Sequence, residues 1–173
     1  MTISTLLQLQ VQEKVQQCLN ILLGEETAKY INITVEFKNG IKTAAGLAYQ
    51  AEQRIVLNEN LFLANKQSFF DEIIGHEVCH IVQHILYPDE SLHHGKRWKE
   101  LMMMLGLKPS VYHSLDVSAV DDKVFRYVCN CDGGFRYHQI IEKTHKQLQI
   151  ADKIKKCGTC DSRMTYFPRT ENY

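Results

Sequence analysis

The chain has 173 residues, 45% hydrophobic and 23% charged, and its 20 Lys+Arg balance its 20 Asp+Glu. That size allows a real core and fits one domain with a small appendage. No stretch approaches the roughly 18 apolar residues of a membrane span. The start, Met1 to Gln8, lacks the basic region and long apolar run of an export signal, so a soluble, non-secreted, cytoplasmic protein with no membrane partner is expected.

In chain order, residues 5–23 have the pattern of an amphipathic helix, with Leu6, Leu9, Val15, Leu19 and Leu22 inward and Gly24 at its end. Strand-like runs follow at Ile31–Phe37, Ile41–Tyr49 and Arg54–Leu57, and Asn39-Gly40 between the first two is a hairpin signal. Residues 68–87 form a second helix. Ser68 is a candidate N-cap with Asp71 in an imperfect capping box, and Pro88 marks the stop. A further apolar segment runs from Trp98 to Leu105. Helices with a small antiparallel sheet give an α+β domain over residues 1–122. Cys18 and Cys79 fit core positions.

The second helix contains His76-Glu77-x-x-His80. Helical residues four apart share a face, so both imidazoles can grip one ion, and Glu77 is placed to take a proton from a metal-bound water. A catalytic zinc takes three protein ligands and keeps one position open. His84 continues the spacing but lies about 12 Å along the axis from His76, too far to share the ion. The longer zinc-protease pattern needs Gly at 83 and His at 86, where this chain has Gln83 and Leu86. The third ligand is His93 or His94, which precede the flexible Gly95, and spacing alone does not separate them.

Four of the six cysteines lie in two pairs, Cys129-Asn-Cys131 and Cys157-Gly-Thr-Cys160. Without an export signal, metal binding is their expected use, and residues 123–173 have the pattern of a zinc ribbon with strands between two knuckles. One residue between Cys129 and Cys131, rather than two, strains joint ligation and keeps His138 and His145 open as substitutes. Residues 1–122 carry 10 basic against 15 acidic side chains, a net −5, and residues 123–173 carry 10 against 5, a net +5. The basic set includes Arg126, Arg136, Lys143, Lys146, Lys153, Lys155, Lys156 and Arg163. It is interleaved with Phe135, Tyr137, Tyr166 and Phe167, a composition that suits single-stranded nucleic acid. No role follows from the residue types of Tyr112 and His113, although a tyrosine near a catalytic zinc can hydrogen-bond a tetrahedral intermediate.

The motif His76-Glu77-Val78-Cys79-His80, then His94-Gly95-Lys96-Arg97-Trp98-Lys99, then Tyr127-x-Cys129-x-Cys131 and Cys157-x-x-Cys160 resembles the SprT-like metalloprotease family, which includes the eukaryotic Spartan proteases. The likeness runs along nearly the whole chain. It implies a zincin-like core, Glu77 as the catalytic residue and His94, the histidine before Gly, as the third zinc ligand. The implied cofactors are a catalytic Zn2+ on His76, His80 and His94 and a structural Zn2+ on Cys129, Cys131, Cys157 and Cys160. The implied partners are a protein or peptide substrate and single- or double-stranded DNA, since the family digests proteins stalled on or crosslinked to DNA. The competing expectation is a DNA-binding or regulatory zinc protein whose His-Glu-x-x-His site is structural. A non-peptide amide substrate would keep the chemistry and change the target.

Overall fold

The computed structural model describes residues 3–41, 44–111, 113, 115–116, 124–131, 134–150, 155–157 and 160–167. The chain divides into two compact units, residues 1–109 and 110–173.

The first unit opens with helix α1, Thr5–Leu23, capped by Ser4, whose hydroxyl accepts the Leu7 N–H at 3.3 Å. Its buried stripe is Val11, Val15, Cys18, Leu19 and Leu22. Leu6 and Leu9, expected inward, are 65% and 63% exposed. At 100° per residue they fall well away from Val11 and Val15, and half-buried Leu7 continues the stripe instead. Gly24, at φ 77°, ends α1 before the short α2, Glu25–Ala28.

The sheet has three strands, β1 Thr34–Lys38, β2 Gly46–Tyr49 and β3 Arg54–Asn58, in the order β1-β3-β2. It is mixed rather than antiparallel. β1 runs parallel to β3, with Val35 opposite Ile55, and β2 runs antiparallel, with Leu47 opposite Val56. The hairpin expected at Asn39-Gly40 does not form, and the tight connection instead joins β2 to β3. The burial pattern explains why. Ile55, Val56 and Leu57 are buried on both faces and take the centre, whereas β1 and β2 are each only partly covered and flank it.

Asn58 caps α3, Glu59–Ala64, by accepting the Leu61 N–H at 3.2 Å. Helical backbone then runs from residue 66 to 86 as α4, Lys66–Ser68, a π-helical turn, Phe69–Ile73, and α5, Ile74–Leu86. Ser68 therefore lies inside the run and caps nothing, and Asp71 accepts from the Gln67 amide at 2.8 Å. The π turn widens the backbone by a residue and brings Phe69 and Ile73 into the core just before the histidines. Phe69 packs edge-on to Phe62 at 5.3 Å. Helix α6, Lys96–Met104, buries Trp98, Leu101 and Met102.

In the second unit, β4 Val124–Cys131 and β5 Gly134–Ile141 form an antiparallel hairpin, and β6 Thr165–Tyr166 pairs with the other side of β4. Its core is Tyr127, Cys129, Ile140, Cys157 and Met164. Between the cysteine pairs the sequence predicts strands alone, but the chain turns into a helix, α7 Glu142–Ile150, with Lys146 paired to Glu142 at 2.9 Å one turn apart.

Candidate metal centre

Helix α5 carries His76 and His80 one turn apart, so both rings leave the same side. His94 comes from the loop between α5 and α6, next to Gly95. Their three Nε2 atoms form a nearly equilateral triangle, with sides of 3.2 Å from His76 to His80, 3.1 Å from His80 to His94 and 3.3 Å from His94 to His76. Hydrogen bonding cannot explain it. An imidazole nitrogen carries either a proton or a lone pair, so among three mutual neighbours at least two are alike and repel. A shared cation removes the conflict. A tetrahedral ion at about 2.0–2.1 Å from each donor separates the donors by about 3.3–3.4 Å, which matches the triangle.

Two of the donors are held toward the neutral form. His80 is 7% exposed; burial first, then the nearby His76, His94 and His93, hold its pKa down to about 3. Burial, and then His93, also lower His94. His93 itself is exposed, with its ring 6.2 Å from that of His80, and lies outside the triangle. His84 lies outside it too, half-buried. Of the two histidines that spacing leaves open, His94 is the one whose ring nitrogen joins the triangle.

Trp98 forms the wall of the site. It is fully buried, stacks on His80 at 5.5 Å and meets His76 and His94 edge-on at 4.8 and 4.6 Å. Glu77, 7% exposed, faces β2. A Cβ at Gly46 would stand 2.8 Å from both Cγ and Oε1 of Glu77, so the strand can approach this carboxylate only because residue 46 has no side chain. Burial pushes the Glu77 carboxyl up to about 8, and a divalent cation in the adjacent triad would draw it down again. At the other end of β2, the Gln50 amide donates to the His80 carbonyl at 3.1 Å. The sequence reading missed Gly46, Gln50 and Trp98. A glycine inside a strand run and the single tryptophan four residues past His94 were available signals, whereas nothing in sequence marked Gln50.

A second cluster joins Cys129, His138 and Cys157. The hairpin register sets His138 opposite Tyr127, hence diagonal to Cys129 on one face, and the Cys129 sulfur lies 3.1 Å from the His138 Nε2. Of the two substitutes kept open, His138 is the one brought to the cysteines. His145 stacks on Phe125 at 3.6 Å and meets the Tyr127 hydroxyl at 3.2 Å. Cys160 is outside this cluster, with its sulfur 2.8 Å from the Ser162 hydroxyl. The Leu115 N–H donates to His113 Nδ1 at 3.4 Å. Tyr112, Lys153, Gly158 and Thr159, and the side chains of Arg126, Cys131, Phe135, Arg136 and Tyr137, lie outside the described residues.

Both clusters fit zinc, three neutral imidazoles in one and thiols with an imidazole in the other. Metal analysis of the purified chain is expected to give two zincs. His94→Ala loses one, Cys157→Ser loses the other, and His93→Ala keeps both. Retention of both metals in His94→Ala would contradict the triad.

Comparison with known proteins agrees with this arrangement. The family model described as SprT-like matches residues 11–114, which span both α5 and the loop that carry the histidine triad. "Protein SprT" of Actinobacillus succinogenes is 31% identical over 160 residues, covering 91% of this chain and 90% of that protein. "Protein SprT" of Proteus mirabilis is 33% identical over 156 residues, covering 88% and 86%, and that of Pasteurella multocida is 31% identical over 153 residues, covering 87% and 88%. No solved structure matches the chain. With the family model covering more than half its length and relatives above 30% identity covering most of it, the chain belongs to the SprT-like family.

Proposed function

We propose that this chain is a zinc metallopeptidase that hydrolyses peptide bonds. The observation that carries the reading is the triangle of three Nε2 atoms with a buried carboxylate one residue from the first of them. Among the described residues the triad supplies three donors, one short of a closed structural site, which favours catalysis over a purely structural metal. Zinc held there supplies Lewis acidity toward a water and a peptide carbonyl.

The chain's own groups supply the rest. Glu77 accepts the proton of the attacking water and passes it to the leaving amine; its shielding from solvent holds that proton in place between the two transfers. β2 is an edge strand whose outer backbone groups face no other strand of its sheet. An extended peptide pairing with that edge would be gripped through its main chain, whatever its sequence. Gly46 sets this edge directly against Glu77, and Leu47 and Tyr49, 40% and 39% exposed, offer apolar contact to substrate side chains.

The preferred substrates in this reading are proteins bound or crosslinked to DNA, held through the second unit. Its support is the net +5 of residues 123–173 and the exposure there of Lys143, Lys155, Lys156 and Arg163 together with Tyr166 and Phe167. The bridge between Lys156 and Arg163 and the pairing of β6 with β4 gather part of this set. Cationic side chains beside aromatic faces suit single strands. No helix among the described residues is long and apolar enough to cross a membrane. Cysteine thiols serving as metal ligands suit a reducing compartment, so we assign the enzyme to the cytoplasm.

Glu77→Gln is expected to keep both zincs and the fold while peptide hydrolysis falls by about 10²–10⁴-fold. Unchanged turnover would mean a structural site. Gly46→Ala, which pushes the carboxylate aside, is expected to lower kcat by about 10–100-fold with zinc content intact. For the DNA-directed reading, cleavage of a protein substrate is measured with and without added single- and double-stranded DNA. Stimulation is expected, and equal rates would remove DNA from the proposal.

A further inference from the structure

The third ligand, His94, lies in the loop between α5 and α6, whose local backbone bonds are Glu90 N–H to the Tyr87 carbonyl at 3.0 Å and Gly95 N–H to the Leu92 carbonyl at 3.1 Å. Two ligands on a rigid helix and a third on a loop pose an ordering problem, because fixing the loop backbone costs conformational entropy of about 1–2 kcal/mol per residue. Gln83 addresses it. It sits on α5 three residues past His80 and seven past His76, on the side of the helix that carries the ligands. Its amide donates to the Leu92 carbonyl at 3.0 Å, two residues before His94. That same carbonyl closes the Leu92–Gly95 turn that presents His94.

Gln83 is an unusual occupant for its place. It is 2% exposed, and its Oε1 is buried with no hydrogen-bond partner among the described residues. A buried amide with an unmet acceptor is unfavourable, and an apolar side chain of similar size would avoid the cost. What an apolar side chain cannot do is donate to Leu92. Position 83 is also where the longer zinc-protease pattern has a glycine; here α5 continues to Leu86 and the residue reaches across to the loop.

We infer that Gln83 is a positioning residue for the metal centre: it fixes the loop so that His94 stands ready before a metal arrives. The inference rests on the triad being a metal site. Its test uses the full chain, with Co2+ and a competing chelator as probes. Histidine-bound and thiolate-bound Co2+ absorb differently, so the two clusters are read separately. Gln83→Met keeps the volume and removes the donor. Affinity at the histidine site is expected to weaken about 10–100-fold. Metal-free Tm is expected not to fall, and amide exchange across residues 87–95 is expected to rise. Affinity within about twofold of wild type overturns the inference. So does a drop in metal-free Tm that accompanies the affinity loss, since that marks a residue needed only for the fold. His94→Ala runs in parallel: if it holds Co2+ at this site as tightly as wild type, the triad reading itself fails and takes the inference with it.

Discussion

Three imidazole nitrogens stand within 3.3 Å of one another in a site where His80 is nearly sealed from water. They cannot satisfy each other as donors and acceptors, and burial together with mutual repulsion keeps protons off His80. The arrangement is therefore unfavourable unless a cation fills it, and much of the first unit's architecture serves to hold that arrangement in place.

Each neighbouring element fixes one coordinate of the centre. The helical pitch of α5 sets the distance between His76 and His80. The π turn before it feeds Phe69 and Ile73 into the core and anchors the helix at its start. Trp98, one turn past His94, touches all three rings and blocks their rotation. β2 closes the side occupied by Glu77, and it can do so only at a glycine. One residue past the end of the same strand, Gln50 ties the chain to the helix through the His80 carbonyl. The proposed peptide-holding edge and the proposed proton carrier are thus parts of one packed unit, so a substrate aligned on the strand is aligned on the carboxylate as well.

The sequence made the centre legible because its information is local. His76, Glu77 and His80 share one helix, and their spacing already states their geometry. Spacing narrows the third ligand only to His93 or His94, because a loop gives no period from which to read direction, and the family resemblance is what points to His94. Sheet order departs from the expected order for a related reason. Asn39-Gly40 is a genuine local turn signal, yet strand order is decided by which segment is apolar on both faces, and Ile55-Val56-Leu57 takes the centre on that ground. Leu6 and Leu9 show the same limit, since a leucine near a helix end is apolar whichever way the core lies. In the second unit the cysteine spacing pointed to a metal cluster, but its membership depends on hairpin register, which brought in His138 and which no spacing rule contains. Gly46 and Gln83 act through distant contacts and carry no local pattern that names their partners.

The most direct test is a crystal of the zinc-loaded chain with anomalous scattering recorded on both sides of the zinc edge. The account predicts a peak about 2.0–2.1 Å from the Nε2 atoms of His76, His80 and His94, with its remaining coordination site facing solvent beside Glu77. A peak that lacks one of these three histidines, or whose fourth position is closed by another protein side chain, would contradict it.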